Sequence, residues 1–151
     1  LVTHTKRKVS KIGVDYSAHL AYGVEIADIR DEDKFPDGIW EYESYYADAI
    51  AKDLGVKVNG WEDRGKILRE IPCPVNIMAF GAPNYDGKGT YIIGPREFCH
   101  SADQYDGSVT PIEIGNPDPD KAMELINGFL KLIGLPESDE EPRWVFGMYV
   151  S

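Results

Sequence analysis

A chain of 151 residues with 42% hydrophobic content has the material for one domain with a core of its own, without metal or disulfide support. Its net charge of −10 argues against direct contact with nucleic-acid phosphates, which need a basic patch, and a charge used for more than solubility would suit a basic protein partner. Two cysteines, no apolar run long enough for a membrane span and no signal-peptide pattern point to a cytoplasmic setting.

Residues 1–10 contain Lys6, Arg7 and Lys8 and no apolar periodicity. They are expected to form a flexible N-terminal segment, leaving 11–151 as a single compact domain. From Ile12 to Ile26 apolar residues fill every even position, the pattern of a strand with one buried face. Such a strand is longer than a small domain needs, so a bend is expected at Gly23. The charged stretch Arg30–Pro36 reads as a loop. A helix follows over Ile39–Leu54, with Asp37 as N-cap, Gly55 as the terminating residue, and Tyr42, Tyr45, Tyr46, Ala49 and Ile50 on one face. Asp53 falls on that face and is expected to escape to solvent through a frayed last turn.

A short second helix is expected over Asn59–Glu70, with Asn59 and Glu62 as a capping pair. Val75–Phe80 and Thr90–Ile93 then read as a hairpin around the polar loop Gly81–Gly89. A further strand is expected over Val109–Ile114, with Pro111 marking an edge. Asp118 and Pro119 open another helix, whose buried stripe reads Ala122, Leu125, Ile126, Phe129 and Ile133, and Gly134 ends it. After the acidic loop Glu137–Pro142 comes a closing strand, Arg143–Val150, with Trp144, Phe146, Met148 and Val150 on one face. The sum is an α+β fold: a mostly antiparallel sheet with a long bent N-terminal strand and two main helices packed on one face.

No motif in the chain calls for a cofactor or a metal. The loop Gly81–Thr90 has five residues between its first two glycines, where a phosphate loop has four, and it leads into a strand rather than a helix. Asn116–Asp120 opens like a calcium loop, but Lys121 stands where glycine is required and Asn127 where the bidentate Glu should be. Cys99 and His100 are adjacent, so on an extended chain they point to opposite sides and cannot act as nucleophile and base for each other. A site around Cys99, His100 and His19 is the enzymatic or ligand-binding alternative.

The binding alternative rests on the acidic, aromatic stretch from Asp37 to Tyr46, in which Trp40 and Tyr45 are the candidate anchors. Glu137, Asp139, Glu140 and Glu141 are candidates for steering a basic partner. Two segments, Ala21-Tyr22-Gly23-Val24-Glu25 and Pro142-Arg143-Trp144, are similar to those of small uncharacterised bacteriophage and prophage accessory proteins. That resemblance implies a protein that binds and modulates a host or phage protein, and it transfers no site residues. The leading expectation is a non-enzymatic, acidic protein-binding module. A self-associating structural subunit is a further alternative.

Overall fold

The computed structural model describes residues 15–26, 35–36, 38–82, 89–103 and 112–150. Expectations for 1–14, for the loop at 30–34, for the cap at Asp37 and for the tip of the loop at 83–88 lie outside these residues.

The fold is α+β, with three helices and a five-stranded antiparallel sheet among the described residues. The strands are β1 (Tyr16–Ile26), β2 (Val75–Phe80), β3 (Thr90–Pro95), β4 (Cys99–Asp103) and β5 (Arg143–Val150). The helices are α1 (Tyr42–Leu54), α2 (Trp61–Glu70) and α3 (Pro119–Leu132). One edge of β1 pairs with β5 along its length, from Tyr16↔Val150 to Gly23↔Arg143. The other edge takes β4 at Ser17–Ala21 and β3 at Val24–Ile26. β3 and β4 follow one another along that edge, interrupted by a 3-10 turn at Arg96–Phe98. β2 pairs with β3 as the expected hairpin, with Ile77 opposite Ile93.

The sheet curls until β2 reaches β5. Gly81 donates to the Met148 carbonyl at 2.6 Å and accepts from the Val150 amide at 2.8 Å. This curl divides the interior in two. Val24, Val75, Ile77 and Ile93 face the helices and pack against Tyr46, Ile126, Phe129 and Leu130. Ala21, Met78, Phe80 and Ile92 face into the curl, beside Cys99 and Val145. Burying a side chain of Phe129's size contributes about 1.5–3 kcal/mol, so the helix side carries most of the apolar burial.

Gly23 and Gly94 make the tight β1–β3 crossing possible. A Cβ at Gly23 would run into the Ile93 carbonyl, and one at Gly94 into the Tyr22 carbonyl. The sequence marked Gly23 as a bend; the physical requirement is this close backbone approach.

Several expectations need correction. Burial along β1 is not confined to even positions: Ala21 is fully buried in the curl and Leu20 only half-buried, because at this point of the strand the odd side faces the second interior while the even side lies beyond the helices. α1 follows a 3-10 turn at Ile39–Glu41, and its first residues have no side-chain cap from Glu41. It stays helical through Leu54, so Asp53 reaches solvent from an intact last turn, and Gly55 ends the helix at φ 68°. α2 has Gly60 at its N-cap and no side-chain cap; the expected Asn59–Glu62 pair does not form, and the Asp63 carboxylate instead accepts from the Asn59 amide at 2.9 Å. α3 buries Leu130 and turns Leu125 outward. Its start is as expected, with the Asp118 carboxylate accepting from the Asp120 and Lys121 amides. Of the strand expected over Val109–Ile114, residues 109–111 lie outside the described residues and 112–114 are not strand; β4, whose Cys-His-Ser-Ala-Asp composition gives no strand signal, pairs with β1. Two helices, α1 and α3, lie against the sheet; α2 packs on α1.

Candidate functional site

The turn from α1 into α2 folds two short helices against each other and leaves a cleft of about 480 Å³ between them. Glu41, Ser44, Tyr45 and Asp48 line it from the α1 side, one turn apart on the same helix face, and Trp61 and Arg64 from α2. The Arg64 guanidinium grips Asp48 with two bonds, Nε to Oδ1 at 2.9 Å and Nη2 to Oδ2 at 3.2 Å. That planar fork fixes the two helices relative to one another. The guanidinium also lies 5.7 Å from the centre of the Trp61 ring. Ser44 donates to Glu41 Oε2 at 3.2 Å, holding that carboxylate at the cleft mouth. Trp61 is 69% exposed, an unusual position for so large an apolar ring.

Tyr45 is half-buried, with its ring edge-on to Phe35 at 5.0 Å and one side in the cleft. Trp40 is 49% exposed and lies against Tyr91 and Tyr149, so it anchors the 3-10 turn to the ends of β3 and β5. Trp61 was missed by the sequence reading, which saw only a short polar helix. A tryptophan six residues after the helix-ending Gly55, with Arg64 three positions on, is the signal that was available.

The acidic loop lies elsewhere. Glu137, Asp139, Glu140 and Glu141 are all exposed. Asn127 on α3 pins the loop by exchanging two bonds with the Ser138 backbone, at 2.8 and 3.1 Å. Glu141 and Asp118 are close enough to Tyr22 to add to burial in pushing its hydroxyl pKa up. The loop therefore stands at the Arg143 end of β5, while Trp40 stands at the Tyr149 end. Six residues of extended chain separate those ends by roughly 20 Å. The structure thus brings Tyr45 together with Glu41 and Trp61, and does not bring Trp40 or Tyr45 together with Glu137–Glu141.

The residues of the enzymatic alternative are split by the sheet. Cys99 pairs with Ala21, His19 with Ser101, and His100 with Leu20, which puts Cys99 and His19 inside the curl and His100 on the opposite face. His19 is stacked on Tyr149, edge-on to Phe80, and its Nδ1–H donates to the Ala79 carbonyl at 2.6 Å. Burial pushes the Cys99 thiol up to about 12 and the Cys73 thiol up to about 11, so both stay protonated at neutral pH. The Cys73 thiol donates to the Val75 carbonyl at 3.4 Å. Among the described residues no group of three His, Cys, Asp or Glu side chains is placed to hold a metal ion. No described helix is long and apolar enough to cross a membrane.

A second, wider groove of about 690 Å³ runs between α1 and α3 over Ile50, Leu125, Phe129 and Leu132. Its walls are apolar, with Lys121 and Glu124 along it. Comparison with known proteins gives no match to a family model, to a curated protein or to a solved structure.

Proposed function

We propose that this protein is a non-enzymatic binding module that receives a basic segment of another protein in the α1–α2 cleft. The observation that carries this reading is the meeting of the Glu41 carboxylate with the Tyr45 and exposed Trp61 rings in one cleft. A lysine or arginine side chain placed there would gain a carboxylate partner and an aromatic face together. The Asp48–Arg64 pair sets the cleft width without adding net charge of its own. Glu137, Asp139, Glu140 and Glu141 act at a distance, adding to the negative field that draws a basic partner in. An accessory protein that modulates another protein, as the phage resemblance implies, needs no more than this. The protonated thiols and the walled-in His19 favour binding over catalysis as the role of the domain.

The test is calorimetric titration with a short Lys- and Arg-containing peptide, against a peptide of equal length in which Glu replaces the basic residues. The basic peptide is expected to bind, to weaken as salt is raised, and to lose at least about tenfold in affinity to Glu41→Gln or Trp61→Ala, which is about 1.4 kcal/mol. Equal binding of the two peptides, or wild-type affinity in both variants, would remove the cleft from consideration.

A further inference from the structure

The apolar face of β5 is bare. Trp144, Phe146, Met148 and Val150 do share one face, as their spacing implies, but Phe146 is 74% exposed and Met148 46%. The register places them beside the even positions of β1: Leu20 opposite Phe146, Ala18 opposite Met148, Tyr16 opposite Val150. On the far edge the exposed Ala102 of β4 continues the row of Ala18 and Met148, while His100, in the row of Leu20 and Phe146, is half-buried with its Nε2 enclosed. The Tyr22, Phe98 and Trp144 rings, 5.3–6.2 Å apart, close one end of this face, and nothing among the described residues closes the other. None of these positions carries an acidic or a Lys/Arg side chain, in a chain whose net charge is −10.

We infer that this face is a self-association surface, occupied by the same face of a second copy of the chain. Charge decides in favour of a second copy over the basic partner of the cleft. A basic segment would find no carboxylate here to pair with, and its charges would be desolvated without compensation. Two identical faces bring no charge into contact. Shape agrees. Phe146 and Met148 form a ridge along β5, and Ala18 with Ala102 forms a shallow floor beside it, so a two-fold rotation seats each ridge over the other copy's floor.

Area sets the strength. Three strands about 4.8 Å apart and about seven residues long, at roughly 3.4 Å each, give a footprint on the order of 300 Å². Side chains standing off the sheet raise the accessible area, which still falls short of the ~800 Å² per partner of a standard interface. The dimer is therefore reversible. Its two acidic bodies repel through solvent, so added salt strengthens it, the opposite of the salt dependence of the cleft.

Sedimentation of the whole chain from about 5 μM to about 500 μM, a range suited to small interfaces, tests this. The wild type is expected to pass from monomer to dimer as concentration rises, and to do so at lower concentration in high salt. Phe146→Glu and Met148→Glu are expected to sediment as monomers throughout with wild-type melting curves, since both side chains are largely exposed. Leu125→Glu, an exposed apolar position in the α1–α3 groove, is expected to dimerise like wild type. A wild type that stays monomeric throughout overturns the inference, and a monomer whose complex with a different protein is lost in Phe146→Glu assigns the face to that protein instead. A dimer that survives Phe146→Glu and Met148→Glu, or is lost in Leu125→Glu, also overturns it.

Discussion

One half of the outer sheet face lies under helices and the other half lies open, although both are written in the same alternation. Under α1 and α3, Val24, Ile77 and Ile93 are buried against Ile126 and Phe129. A few residues earlier on the same face of β1, Leu20 and Ala18 are only partly covered, and their β5 neighbours Phe146 and Met148 stand in solvent. The bare half still folds because its reverse side is core. Ala21, Phe80, Met78 and Ile92 fill the curl behind it. An apolar strand face is therefore a statement about what a surface can contact, and the chain decides by its connections whether a helix of its own is delivered there.

The junction between the halves should be the most sensitive point. Gly23→Ala would drive a Cβ into the Ile93 carbonyl, a backbone atom that cannot step aside, so a loss of about 4 kcal/mol or more, or failure to fold, is expected in urea titration. Within the covered half, Phe129→Ala should cost about 3–5 kcal/mol by the same measurement, since the ring is 2% exposed and packed on Tyr42 and Tyr46. A smaller loss for Phe129 than for any bare-half residue would break the comparison.

The two interiors also differ by one thiol each, and pH reads both. The folded thiol pKa values lie above those of the unfolded chain, so deprotonation favours unfolding. Their contribution to stability is whole below about pH 8.5, shrinks as pH rises, and is lost by about 11 for Cys73 and about 12 for Cys99. Cys73→Ser and Cys99→Ser should each flatten the fall in melting temperature above pH 9, measured as a difference from wild type. At the bare face, Phe146→Ser should change stability by no more than about 0.5 kcal/mol, the smallest effect of the set.

The periodic elements were legible in the sequence because period and punctuation agreed. The β2–β3 hairpin, α1 ending at Gly55 and α3 starting at Asp118 all carry both signals. β4 was not legible: its residues pack through their register with β1, and nothing local marks them as strand. Nor was the second interior. Alternation along β1 implies one buried side, and only the return of β2 onto β5 through Gly81 gives Ala21 and His19 a buried environment. For the candidate site, Tyr45 was visible as an aromatic on an acidic helix. Its meeting with Trp61 depends on the α1–α2 turn angle, which no spacing encodes. Trp40 was read as a candidate anchor for a partner and is found against Tyr91 and Tyr149.

The pairing of β1 with β5 has a consequence for synthesis on the ribosome. Gly23 meets Arg143, about 120 residues later in the chain. At about 5–20 residues per second, roughly 6 to 24 seconds pass between the emergence of one strand and its partner. During that interval β3 and β4 can occupy one edge of β1, but the other keeps its amides and carbonyls open, next to the apolar side chains of Leu20 and Tyr22. The nascent chain is then a sheet with a sticky margin, and a neighbouring chain on the same messenger offers the same margin. Holding chaperones have their clearest task in that window, and slowed translation between α3 and β5 would lengthen it.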